Sequence, residues 1–209
     1  GDVEIEDFQV FDDEILVYVN AKNSRKSEDL YVATLDLNGQ QKEFYKVTSN
    51  IDEKLIKISA TKVADKYVLT GTYSKTRSDL SQGLFFAEIQ NSKLNFIKFY
   101  NFVDLKNFTS YMSDKQQRKI DRLNERASDK NKELVLNYNI VNHPVKTVDT
   151  GYIFLGEAYY PTYYTITTNN GYATYFDGFF YTHGVIAKFD KEGNLVWDNS
   201  FELAPDYKP

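Results

Sequence analysis

Three stretches of this chain follow one plan: YVATLDLNGQQKEFY at 31–45, FFAEIQNSKLNFIKF at 85–99 and AKFDKEGNLVWDNSF at 187–201. Each opens on an apolar strand carrying Ala33, Ala87 or Ala187, passes a short polar turn, and returns as a second alternating strand. Internal repetition constrains the fold more than any composition can, because one such unit cannot bury its own apolar face and must stack on its neighbours. A further strand–turn–strand pair precedes each copy: FQVFDDEILVYVNA at 8–21, ISATKVADKYVLTGTY at 58–73 and VKTVDTGYIFLGEAY at 145–159. Turns of the Asp-Asp, Ala-Asp-Lys and Asp-Thr-Gly kind separate their strands. Each repeat therefore reads as four antiparallel strands, over about 4–50, 51–102 and 134–203.

The third repeat is displaced by a charged stretch within SDKQQRKIDRLNERASDKNKEL, residues 113–134. Ser113 or Asp114 can cap a helix there, and Ile120 and Leu123 give it only a thin apolar stripe. The expectation is an exposed helical insertion over about 104–133. A second irregular segment, 160–183, is expected to separate the inner and outer strand pairs of the third repeat.

Four short antiparallel strands recurring at about 50 residues are the pattern of β-propeller blades. The expected fold is all-β: about three four-stranded propeller-like blades in one domain or fragment spanning 1–209. Propellers close with roughly four to eight blades, so an incomplete propeller is expected, completed by further blades of a longer chain or by another subunit. The alternative is a large antiparallel β-sandwich or barrel. The hairpin at 187–201 resembles the repeats of bacterial secreted or surface propeller proteins, and more loosely the quinoprotein-type blade, through Ala187, Phe189, Asp190, Gly193 and Trp197. Trp197 is the only Trp, so the repeated tryptophan docking of quinoproteins is missing and the resemblance implies no cofactor. It does imply a periplasmic, cell-surface or secreted setting.

Composition narrows the function classes. A net charge of −5 without a long basic run disfavours a phosphate backbone as partner. The chain has no Cys, which removes disulfides, thiolate metal sites and cysteine nucleophiles. No apolar run approaches the ~20 residues of a membrane helix. The start at Gly1-Asp2 without Met reads as processed or engineered, with any signal peptide or lipid anchor already removed.

Candidate chemistry is sparse. Asp36–Gly39 and Asp190–Asn194 cluster oxygen ligands near a Gly, but neither completes a twelve-residue calcium loop, and hairpin turns use these same residues. His143 and His183, the only histidines, bring no further ligands with them, so no metal site is expected. No Gly-x-Ser-x-Gly elbow is present. Asn107-Phe108-Thr109 matches the N-glycosylation triplet. Glycosidases need two carboxylates within several ångströms; Asp12, Asp13 and Glu14 read as a turn, whereas Glu157 follows an apolar strand and borders the irregular segment. Glu157 is thus the one weak catalytic candidate, and a carbohydrate-active domain would need a carboxylate such as Glu157 or Asp177.

The distinctive segment is YYPTYYTITTNNGYATYFDGFFYTHG, 159–184. Tyr159, Tyr160, Tyr163, Tyr164, Tyr172, Tyr175, Phe176 and Phe179 offer apolar ring faces and, from Tyr, hydroxyls at low entropic cost, as recognition surfaces do. The competing reading is an extended hairpin, alternating Tyr and Thr, whose rings cover its own blade. The segment occupies the place held by polar loops at 23–30 and 74–83 in the other repeats. Three functions follow: a non-catalytic module that binds a protein partner through 159–184, a carbohydrate-binding or carbohydrate-active domain, or a structural subunit of a larger complex.

Overall fold

A computed structural model describes residues 3–22, 28–47, 53–76, 78–168 and 171–208. Strands make up 64% of it, in three antiparallel sheets, none of them closed. The first sheet is the meander β1 (Val3–Val10), β2 (Ile15–Lys22), β3 (Glu28–Leu35) and β4 (Gln41–Lys46). The second repeats it with β5 (Lys54–Val63), β6 (Lys66–Ser74), β7 (Gly83–Gln90) and β8 (Lys93–Asn101). The third runs β10 (Lys146–Val148), β11 (Gly151–Thr168), β12 (Gly171–Phe189) and β13 (Leu195–Lys208), with β9 (Asn139–Asn142) paired to β11 as a fifth strand.

The hairpin turns explain themselves locally. Asp36 Oδ1 accepts the N–H groups of Asn38 and Gln40 at 2.9 and 2.8 Å, and Gly39 takes φ +80°. Asp190 repeats the arrangement with Glu192 and Asn194 at 3.0 and 2.7 Å, and Gly193 takes φ +75°. These carboxylates are occupied by their own backbone, which is what an Asx-type turn requires. Ser113 opens the helix α1 (Asp114–Ser128), where Gln116 Oε1 accepts both the Ser113 N–H at 3.0 Å and its hydroxyl at 2.6 Å. The helix buries no residue, as its thin apolar stripe predicts.

The sheets stack face to face with the second in the middle. One face of that sheet places Leu69, Phe85, Ala87 and Ile89 against Leu16, Tyr18 and Val32 of the first. Its other face places Val68, Leu84 and Phe86 against Tyr152, Phe154, Val185 and Phe189 of the third. Alternation alone accomplishes this: neighbouring residues of β7 point to opposite faces, and both faces are covered, so the strand is an almost continuous buried run. Gln9 ties β1 to β5, its side chain accepting the Ala60 N–H at 2.5 Å and donating to the Ala60 carbonyl at 3.3 Å. The Ser59 hydroxyl of β5 accepts the Val145 N–H at 3.0 Å, just beyond β9.

One sequence expectation is corrected. Residues 160–183 are not irregular: β11 and β12 continue through them as one long hairpin, in register from Tyr152↔Phe189 to Thr168↔Gly171. Gly178 and two bulges, one spanning Thr182 and one spanning Asp177, interrupt the period-two pattern and obscure it in the sequence.

Candidate functional site

The long hairpin projects past its own sheet as a two-stranded arm. β9 pairs with β11 only from Gly156 to Tyr159, and β13 pairs with β12 only as far as Phe179. Beyond those points the arm has two strands, roughly 20 Å long at ~3.3 Å per residue. Register sorts its rings onto two faces. One carries Tyr159, Tyr163, Phe176, Phe179 and Tyr181, linked by ring contacts between Tyr159 and Phe179 at 5.1 Å, Phe176 and Phe179 at 5.0 Å, and Tyr163 and Phe176 at 6.0 Å. The other carries Tyr160 stacked on Phe180 at 5.3 Å and Tyr164 stacked on Tyr175 at 5.6 Å. Tyr172 stands near the tip, 83% exposed.

These rings pair across strands, as aromatic residues in a ribbon do, yet the pairing leaves them open to solvent. Tyr163 is 60% exposed, Phe176 51% and Tyr164 48%. None of the arm's rings from Tyr160 to Phe179 belongs to either core cluster. The extended-hairpin geometry is therefore present, with the rings from Tyr160 to Phe179 outside both core clusters. From Tyr159 to Tyr181 the only charged side chain is Asp177.

The carboxylate candidates are not brought together. Glu157 faces Gly184 across the β11–β12 ladder. Asp177 lies seven residues further along β12, roughly 23 Å away along the strand, against about 5–10 Å for a glycosidase pair. Glu157 Oε1 lies 3.1 Å from His143 Nε2, an ion-pair distance when the imidazole is protonated, although the two are not aligned for a hydrogen bond. Asp13 and Glu14 hold Lys62 at 2.9 and 2.5 Å, and that ammonium keeps the Asp13 carboxyl below its ordinary pKa. No cluster of three or more His, Asp or Glu suited to a metal ion occurs among the described residues. No helix among them is long and apolar enough to cross a membrane.

Two features have no forerunner in the sequence reading. His183 is fully buried in an aromatic box, stacked on Tyr111 at 3.8 Å and edge-on to Phe108 and Tyr138 at 5.8 and 5.2 Å. Burial pushes its pKa down to about 4. Phe108 and Tyr111 come from the insertion and Tyr138 from the segment before β9, so no local signal around His183 announces the box. The insertion is itself pinned to β13: buried Asp198 accepts the N–H groups of Lys106 and Asn107 at 3.0 and 2.7 Å, and the Asn107 side-chain amide donates to the Asp198 carbonyl at 2.9 Å. The amide of the glycosylation triplet is thus engaged in the fold. Separately, a cavity of about 240 Å³ opens where the three sheets meet, lined by Glu6, Asp7, Tyr18, Lys57, Asn142 and Tyr159 among others. These residues come from segments far apart in the chain, which leaves no motif to find. No protein-family model, curated protein or solved structure matches this chain.

Proposed function

We propose that the protein is a non-catalytic interaction module that captures a protein partner with its aromatic arm. One observation carries this reading: both faces of the arm are lined with exposed Tyr and Phe, and no ring from Tyr160 to Phe179 belongs to either core cluster. Exposed contiguous aromatic surface is costly in water and typical of recognition sites. Tyr supplies large contact area with few rotamers to freeze and a hydroxyl for directional bonding. The near absence of charge along the arm favours a partner surface that is itself apolar and lightly charged.

The stacked meanders favour propeller-like blades as the scaffold for this arm. The first strands of the first two sheets are tied through Gln9 and Ala60, and Ser59 ties the second sheet to Val145 between β9 and β10, as the inner strands of neighbouring blades would be held. The arm then occupies the connection between second and third strands, the place of residues 75–82 in the second sheet; residues 23–27 of the first lie outside the described residues. A periplasmic, cell-surface or secreted setting belongs to the same reading and rests on the resemblance of the 187–201 hairpin.

The test is a pull-down from periplasmic and surface fractions with the intact chain and a Tyr163→Ser/Tyr164→Ser variant, which alters one ring on each face. A protein retained by the intact chain and lost by the variant, with unchanged circular dichroism, is the expected result. Retention by both would remove the arm from the interaction. Titration of both proteins with a glycan panel covers the carbohydrate alternative: heat with an oligosaccharide that vanishes in the variant would replace the protein partner with a sugar.

A further inference from the structure

The two end faces of the stack are chemically unfinished. Ala33, Ala87 and Ala187 mark the same face of each sheet, and Ala87 and Ala187 are fully buried against the preceding sheet. Among the described residues, no sheet packs on the corresponding face of the first sheet. Its central row is Phe8–Val17–Ala33–Phe44, and Val10–Ile15–Leu35 and Ile5–Val19–Tyr31 flank that row. Phe8 is 60% exposed, Ile5 69% and Phe44 53%, although their alternation places them as core residues. At the opposite end the outward face of the third sheet carries Ile153–Lys188–Trp197 and Leu155–Ile186–Asn199, with the Phe201 ring laid over Gly184. Trp197 and Phe201 are 41% and 44% exposed.

These faces are of opposite kind. Within the molecule, a face of the type left open on the third sheet twice packs against a face of the type left open on the first. A second copy of the chain therefore presents the complement of each open face. We propose that two copies associate with the third sheet of each packed on the first sheet of the other, closing a six-sheet ring with two-fold symmetry. Six lies inside the range in which stacked sheets close, and three does not. A four-stranded face of eight-residue strands covers roughly 500 Å², so the four faces buried in such a pair total about 2,000 Å², enough for a stable interface. The interface is isologous, each chain's third sheet meeting the other's first, and it closes at two copies, which prevents filaments. It does not depend on the arm or on what the arm binds.

Sedimentation velocity of the intact chain from about 1 to 100 μM tests this, with Phe8→Lys/Phe44→Lys on one face and Trp197→Glu/Phe201→Glu on the other. All four side chains are exposed in the single chain, so circular dichroism should stay close to the parent, while the melting temperature falls as the stabilisation by dimerisation is lost. The expected result is a dimer of about twice 24.3 kDa for the parent, a monomer for each variant alone, and a dimer again when the two variants are mixed. Mixing restores one native contact and sets Lys against Glu at the other. A parent chain that stays monomeric at 100 μM would overturn the proposal and assign the open faces to sheets other than its own. So would a dimer that survives the Trp197/Phe201 change, which would mean that first sheets pair with each other, or a mixture that stays monomeric.

Discussion

At the scale of single residues, the same chemistry has different consequences depending on what lies behind it. Gly39 and Gly193 hold equivalent turn positions in the first and third sheets, both with positive φ. A Cβ at Gly39 would meet nothing within 4 Å, whereas one at Gly193 would be driven into the Phe86 ring. Gly39→Ala should cost about 1 kcal/mol for the left-handed backbone alone. Gly193→Ala adds overpacking and should cost about 2–4 kcal/mol, a difference that urea unfolding of the two variants resolves.

His183 gives a second prediction at this scale. The unfolded imidazole titrates near 6.5 and the buried one near 4, so between these values the unfolded chain binds a proton that the folded chain does not. Its contribution to stability is intact above about pH 6.5, falls as pH drops toward 4, and levels off below. The loss is roughly 3 kcal/mol across that window. Other groups titrate there too, so the informative quantity is the difference between the parent and His183→Phe. The variant should lose less stability than the parent between pH 7 and pH 4.5; parallel losses would show that the imidazole is not held neutral. The turn roles of Asp36 and Asp190 were legible in the sequence because an Asx turn closes within five residues. The box around His183 was not, because its rings, Phe108, Tyr111 and Tyr138, lie roughly 45–75 residues away in the chain.

Elements differ in how firmly the rest of the molecule holds them. The arm and α1 both contribute nothing to the two core clusters, and they should behave as appendages. Replacing residues 163–177 with a two-residue Asn-Gly turn joins Thr162 to Gly178, which already face each other in register. The shortened protein should melt within a few degrees of the parent, since no core contact is removed; a fall of more than about 10 °C would mean that the arm is structural. In the sequence the arm looked irregular because period-two alternation was read across bulges at Asp177 and Thr182, each of which shifts the phase by one residue. The helix was readable because its cap, its charge and its narrow stripe are all local. β9 escaped notice because four residues carry too little periodicity to identify a strand.

For the whole molecule, the decisive fact is that the middle sheet belongs to two cores at once. The repeat made the three sheets legible, since each hairpin recurs with its own turn, but nothing in one repeat states which neighbour it packs on or what finally closes the array. Phe85 and Phe86 are adjacent in β7 and point to opposite cores: Phe85 lies in the cluster shared with the first sheet, and Phe86 contacts Tyr152 and Phe189 of the third at 5.4 Å each. Both are fully buried, and truncating either to Ala should cost about 3–5 kcal/mol. If the middle sheet couples its neighbours, the chain unfolds as one unit, and either change lowers a single calorimetric transition without splitting it. The first sheet has the more exposed outer face, which makes it the one to watch for separate unfolding. Splitting in Phe85→Ala but not in Phe86→Ala would therefore show that the first sheet folds as a separate unit, held to the others chiefly by the core that Phe85 joins. A single lowered transition in both variants is expected, because Gln9 and Ser59 add hydrogen bonds between sheets to the apolar contact between faces.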